Sequence, residues 1–329
     1  MKFFLTLLLL LLLAAGAATF LVYTPYGPSS ETFVDIPSGT GATTVATLLR
    51  KNGIIRSRYA FALLRLTRDG TFKAGEYRFD HPAPPGEIYD RLLRGDVYTQ
   101  ALTIPEGYNI FDIAAAVESA GFAKRDVFLA AERQHTELLA GLLAPDTHPA
   151  SLEGYLFPDT YHFSRHATPL QMLTAMVHRF RQISTQLGID HASMARTVTM
   201  ASLIEKEVGQ ETERPLVAGV FVNRLAKSMP LATDPTVIYA ALLDDRWRGT
   251  IYASDLANPS PYNTYRHPGL PPGPICNPGL AALKAAIHPA QTDYLYFVAD
   301  ANGHSRFSTS LKEHNSNVQA YRNTVKAQH

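Results

Sequence analysis

Along the chain the apolar positions fall into three regimes. From Phe3 to Tyr23 they are almost unbroken. Residues 33–104 carry short runs that switch between alternating and helical spacing, and from Ile110 onward helical spacing dominates until prolines interrupt it near residue 258. The first regime is long enough, at about 1.5 Å per residue, to cross a bilayer core of about 30 Å. Ala15-Gly16-Ala17 resembles a cleavage site, but a signal core spans only about 7–15 residues. Here the apolar character runs on through Phe20, Leu21 and Val22, so the segment reads as a retained anchor. Lys2 precedes it and no Lys or Arg follows until Arg50, which puts the N-terminus in the cytoplasm and the bulk of the chain outside.

The second regime predicts a small α+β module behind a linker at 24–32. Strands are expected at 33–36, 72–79 and 97–104, and helices at 43–51, 58–67 (capped by Ser57) and 86–94 (ended by Gly95). Ile36-Pro37-Ser38-Gly39 is echoed by Ile104-Pro105-Glu106-Gly107, each a strand end feeding a helix. The third regime predicts helices at 110–120, 127–133, 137–143, 169–187, 192–208, 214–225 and 237–243. Strands at 294–298 and 304–308 follow, joined through Asn302-Gly303, and Ser310 caps a final helix to about residue 326. The expected fold class is α+β: a transmembrane anchor at 1–23, the linker, a module at 33–100, and a helix-rich domain at 101–329 with a C-terminal β-hairpin. Residues 101–150 are assignable to either side of that boundary.

Composition narrows the chemistry. A net charge of +1 with 18% charged residues gives no argument for a polyanion partner such as DNA. The single cysteine, Cys276, excludes an internal disulfide and a cysteine-built metal centre. His162 and His166 stand four apart without a third ligand nearby, so no metal or other cofactor is expected. Gly39-Thr40-Gly41 lacks the Lys and Ser/Thr of a phosphate loop, and no Gly-x-Ser-x-Gly elbow occurs.

What remains is the stretch 197–213. At about 100° per residue, Val198, Met200, Ala201, Leu203, Ile204 and Val208 share one broad apolar face, with Glu205 and Glu207 on its opposite edges. A carboxyl there is partly shielded from water, which raises its pKa and suits it to general-acid work. Two ordinary boundary glutamates on a packed helix fit the same pattern, and helical geometry does not choose between them. Thr233-Asp234-Pro235 reads as a helix start, Asp234 as the N-cap and Pro235 as the first helical residue, or as polar groups lining a site. Residues 258–279 carry seven prolines around Tyr262-Asn263-Thr264-Tyr265. A stiff loop bearing tyrosine and asparagine suits a sugar, ring faces meeting C–H groups and the amide bonding hydroxyls.

With these residues laid out, the chain from about Phe33 onward resembles the YceG-like (MltG) family of endolytic murein transglycosylases. The resemblance rests on Phe72-Lys73-Ala74-Gly75-Glu76-Tyr77, Glu153-Gly154, Phe157-Pro158-Asp159-Thr160-Tyr161 and Ala201-Ser202-Leu203-Ile204-Glu205-Lys206-Glu207. Val220-Phe221-Val222-Asn223-Arg224-Leu225, Thr233-Asp234-Pro235-Thr236, Tyr262-Asn263-Thr264-Tyr265, Gly269-Leu270-Pro271-Pro272-Gly273-Pro274-Ile275 and Leu295-Tyr296-Phe297-Val298-Ala299 extend it. It implies a single-pass inner-membrane protein whose extracytoplasmic part joins a LysM-like module to a catalytic domain. It implies cleavage within peptidoglycan glycan strands that leaves 1,6-anhydro-N-acetylmuramic acid ends, with peptidoglycan synthases as possible partners. By the same resemblance Glu207 is the catalytic acid. Thr233, Asp234, Asn263 and Tyr265 are expected to position the sugars, with His304, His314 and Asn315 on the groove wall. Two alternatives stand beside it: a non-catalytic peptidoglycan-binding scaffold, and a glycoside hydrolase using two carboxylates.

Overall fold

The computed structural model describes residues 2–300 and 303–328. The chain folds as two units, one of residues 1–100 with 162–165, the other of residues 101–161 with 166–329. Both mix helices with short strand pairs, and helix dominates.

The first unit opens with α1 (Lys2–Tyr23), whose residues Phe3–Tyr23 are long and apolar enough to cross a membrane. Strand β1 (Thr32–Ile36), helices α2 (Ala42–Lys51) and α3 (Arg58–Arg65), strand β2 (Gly75–Phe79) and helix α4 (Pro85–Arg94) follow. β1 and β2 pair antiparallel, Val34 opposite Tyr77. Their inward side chains close with Val45, Leu49, Phe61, Ile88 and Leu92 into one core. Ser57 caps α3 by accepting the Tyr59 N–H, and Gly95 ends α4 in the left-handed conformation, φ +79°. Within the Phe72–Tyr77 motif, Glu76 is buried and accepts from the Arg165 guanidinium at 3.0 Å. The segment expected as a linker is pinned: Tyr26 and Ala83 exchange backbone hydrogen bonds of 3.1 and 3.2 Å.

The later elements are β3 (Gln100–Thr103), α5 (Ile110–Ser119), α6 (Arg125–Gln134), β4 (Thr160–Phe163), α7 (Pro169–Gln186), α8 (His191–Glu207), α9 (Arg214–Ala226), α10 (Asp234–Leu243) and α11 (Ala253–Leu256). After them come α12 (Leu280–Ile287), β5 (Tyr296–Ala299), β6 (Ser305–Ser308) and α13 (Leu311–Gln328). β3 pairs with β4, and β5 pairs antiparallel with β6, Phe297 opposite Phe307. Of the hairpin turn expected at Asn302-Gly303, Asn302 lies outside the described residues. Ser310 caps α13 through the Glu313 N–H. The echoed turns share a geometry, since Gly39 and Gly107 both hold φ +78°. The helix expected at 137–143 is instead a single 3-10 turn over Thr136–Leu139: the chain leaves the helical region at Ala140, ψ 130°, and Gly141 follows at φ +72°.

Inside the second unit α8 is the central helix. Val198, Ala201, Leu203 and Ile204 are buried, and α8 packs against α9, α10 and α12. The Glu153-Gly154 motif is architectural. Glu153, fully buried, accepts from the first N–H of α5 (Ile110, 3.0 Å) and from the Asn277 amide (2.9 Å). Burial lifts its carboxyl to about 8 against the opposing pull of the Ile110 N–H and the Tyr239 hydroxyl. Gly154 holds φ +87°, and a Cβ there would lie 2.5 Å from Pro274.

Candidate active site

Glu207 is the last residue of α8, where the chain turns extended at Val208. It faces a cleft of about 390 Å³ within the second unit. The other walls are Arg224 of α9, the turn Leu231-Ala232-Thr233, Asp234 at the start of α10, Tyr265 of the proline-rich loop, Tyr296 and Phe297 of β5, and Leu311 and His314 of α13. The half-buried Glu207 carboxyl makes no hydrogen bond with the described residues. Burial pushes its pKa up to about 7, the Asp234 charge pushes the same way, and Arg224 opposes both. The C-terminal end of a helix, with its unpaired carbonyls, also disfavours a carboxylate. The group is therefore a carboxylic acid poised to give up a proton near neutrality.

Glu205, two residues earlier, is differently employed. Its side chain is 4% exposed and ion-paired to Arg214 at 2.7 Å, and it accepts the Gly279 N–H at 2.9 Å. It ties α8 to α9 and to the start of α12. Of the two glutamates the sequence left open, Glu207 is the one on the cleft.

The cleft brings together Glu207, Thr233, Asp234, Tyr265 and His314. Asp234 corrects an expectation: the N-cap of α10 is Thr233, and Asp234 and Pro235 are its first helical residues. The Asp234 side chain caps nothing and accepts the Tyr265 hydroxyl at 2.7 Å. Burial and that hydrogen bond raise the Tyr265 pKa, keeping the phenol protonated. Thr233 is 3% exposed, and its hydroxyl has no partner among the described residues. The neighbouring Ala232 stands at φ +50°, a left-handed conformation that costs a non-glycine residue roughly 1–2 kcal/mol. What holds it is its N–H donating to the Thr264 carbonyl at 3.1 Å, and the Thr233 N–H donating to the Thr264 hydroxyl at 3.1 Å. His314 stacks on Tyr296 with centroids 5.2 Å apart, and burial and Arg224 lower its pKa, so the ring is neutral. Its buried Nδ1 is likewise unpartnered among the described residues.

Three expected residues stand elsewhere. Asn263 is 0% exposed and spent on the loop: its amide donates to the carbonyls of Leu256 (3.0 Å) and Asn258 (2.8 Å), and its Oδ1 accepts the Tyr265 N–H (3.1 Å). It shapes the loop that presents Tyr265 and does not line the cleft. His304 lies beside Glu213, Nδ1 to Oε1 3.0 Å, outside the cleft wall. Asn315 is exposed on α13, one residue past His314, and is also outside it.

Arg224 and Tyr296 line the cleft although the sequence reading gave neither a role. The Arg224 Nε donates to the Leu295 carbonyl and its Nη1 to the Leu231 carbonyl, each at 2.7 Å, so one side chain fixes β5 and the 231–233 turn. The available signal for Arg224 was a lone charge, beside Asn223, inside the mostly apolar stretch Val220-Phe221-Val222-Asn223-Arg224-Leu225.

Comparison with known proteins shows which family the chain belongs to. The profile of the YceG-like family matches residues 34–320. A protein of Bacillus subtilis named endolytic murein transglycosylase is 35% identical over 88% of this chain and 84% of its own length. A Streptococcus pneumoniae protein of the same name is 30% identical over 88% of this chain, which spans 58% of that longer relative. The crystal structure of a yceG-like protein from Listeria monocytogenes superposes with a TM-score of 0.56 at 32% identity, covering 88% of this chain and 99% of the other. By the extent of the match and the identity of these relatives, the chain belongs to the YceG-like family.

Proposed function

We propose that this protein is a membrane-anchored endolytic murein transglycosylase. It cleaves the β-1,4 bond between N-acetylmuramic acid and N-acetylglucosamine within peptidoglycan strands, leaves 1,6-anhydro ends and so limits strand length. The observation that carries the reading is Glu207, a half-buried carboxyl with a pKa near 7, unpartnered on a cleft lined by tyrosines. The names of the relatives support the substrate class.

A glycosidase that uses water needs two carboxylates flanking the bond. Here one suffices, because the muramic acid C6 hydroxyl is the nucleophile. Protonated Glu207 donates to the departing glycosidic oxygen, the C6 oxygen bonds to the anomeric carbon, and the Glu207 carboxylate takes up the C6 proton. The same group is acid and then base, and it ends the cycle protonated. Tyr265 offers its hydroxyl oxygen to the sugar, Asp234 orients Tyr265, and Tyr296 offers a ring face, while Thr233, which is buried, shapes the turn. The anchor at α1 and the charge bias around it support a catalytic part on the outer side of the cytoplasmic membrane, with the first unit as a LysM-like glycan contact.

Asp234 lies in the same cleft, and this favours one other reading, a hydrolase in which it activates water. Mass analysis of products from purified glycan strands separates the two. The transglycosylase reading requires anhydro ends and no reducing ends; reducing ends would make Asp234 the second carboxylate.

A further inference from the structure

Helix α3 is apolar on two sides. Ala60, Phe61 and Leu64 enter the core of the first unit, while Tyr59, Ala62, Leu63 and Leu66 recur at helical spacing on a second face. That face is open: Tyr59 is 61% exposed and Leu66 81%. Beside it a shallow groove of about 580 Å³ runs between α2 and α3, floored by Ala46 and Phe61 and flanked by Arg58 and Arg65. The rim is strongly cationic. Between residues 50 and 69 the chain has six basic residues and one acid, Asp69. Arg68 pairs with Asp90 at 3.3 Å. Among the described residues, Arg50, Lys51, Arg56, Arg58 and Arg65 have no carboxylate within ion-pair distance.

The position of this face identifies what it meets. α1 packs against α3 and α4, and Val22, in its last turn, rests on the core of the unit. The Arg56 guanidinium stands 5.0 Å from the Phe20 ring and 5.1 Å from the Tyr26 ring. Tyr26 is in turn hydrogen-bonded to Ala83. α3 is thus held where the membrane-spanning helix ends, at the depth where aromatic rings and arginines are favoured in a bilayer.

We propose that this face of α3 is a second membrane contact, seated on anionic phospholipid. Tyr59, Leu63 and Leu66 enter the interfacial layer, and Arg58 and Arg65 meet lipid phosphates. The proposal rests on the reading of α1 as an anchor and is independent of the chemistry at Glu207. Its consequence is that the first unit is held by two points rather than swinging on one.

The test uses the full chain with Leu66→Cys carrying an environment-sensitive fluorophore; Cys276 is buried and stays unlabelled. The protein is reconstituted into vesicles of phosphatidylcholine alone or mixed with phosphatidylglycerol, with nitroxide lipids as quenchers. The expected result is flotation with both vesicle types, and a blue-shifted, quenched signal that strengthens with phosphatidylglycerol. Arg58→Gln/Arg65→Gln should weaken that seating by about fivefold for each charge removed. A label that stays water-exposed on floated protein would overturn the proposal. So would quenching indifferent to both lipid charge and the arginine substitutions, or shielding that appears only on adding glycan strands or another protein. Protein that does not float at all overturns the anchor reading instead.

Discussion

Glu207 sits between a negative and a positive neighbour, and its titration follows from both. With a pKa near 7 it is the acid at lower pH, so kcat/KM should be level below neutrality and fall tenfold per pH unit above it. Asp234→Asn removes the charge that disfavours the carboxylate, so the falling limb should move to lower pH; Arg224→Gln should move it to higher pH. Rate profiles of the three proteins check both signs. Stability is linked to the same proton. Below about pH 4.5 the folded and unfolded chains both carry it; as pH rises toward 7 the unfolded chain releases it first, so stability falls through that window and the loss is complete above it. Glu207→Gln removes the loss. The variant should match the parent in unfolding free energy near pH 4 and exceed it near pH 8 by on the order of 1–3 kcal/mol, read from urea titrations. Helical spacing placed Glu205 and Glu207 on a boundary but could not separate them. The separation comes from Arg214 and Gly279, which reach Glu205 from other elements.

At the scale of elements, α8 is oriented by the buried pair Glu205–Arg214. Arg214→Met strands a carboxylate that is 4% exposed and should cost about 3–5 kcal/mol, and Glu205→Gln/Arg214→Met should recover much of it. Urea midpoints measure both. Gly154→Ala forces a Cβ onto Pro274 and a side chain onto φ +87°, so it should be poorly folded by circular dichroism, whereas Gly121→Ala meets no neighbour and pays only for its backbone angle. Long amphipathic helices were readable because their period is set by their own residues: α7, α8 and α9 begin and end within a residue of expectation. Short elements were less so. The strand expected at 97–104 is ordered as β3 only over Gln100–Thr103. The cap of α10 shifted by one residue because Asp234 finds a stronger partner in Tyr265, thirty-one positions away.

The whole molecule is where sequence reading reaches least far unaided. The cleft draws on α8, α9, α10, the proline-rich loop, β5 and α13, residues spread from 207 to 314. No local period joins them, and family resemblance pointed to five of them, Glu207, Thr233, Asp234, Tyr265 and His314. It also carried Asn263, whose place in the motif serves loop closure rather than contact with the cleft. The helix long and apolar enough to span a membrane, by contrast, was legible from composition alone, since that property depends on length and apolarity. The chain should resist alkaline extraction from membranes, and Leu9→Arg/Leu12→Arg, at about 2.5–3.5 kcal/mol per arginine at mid-bilayer, should release it.

The central claim is that one proton on Glu207 drives strand cleavage. Its most direct test compares wild type, Glu207→Gln and Glu205→Gln on purified glycan strands, with binding to the strands and circular dichroism recorded on the same samples. Glu207→Gln should remain folded and bind strands while its cleavage rate drops by at least about 10²–10⁴-fold, and Glu205→Gln should keep cleaving at a rate limited only by its loss of stability. Cleavage by folded Glu207→Gln at the wild-type rate would contradict the account.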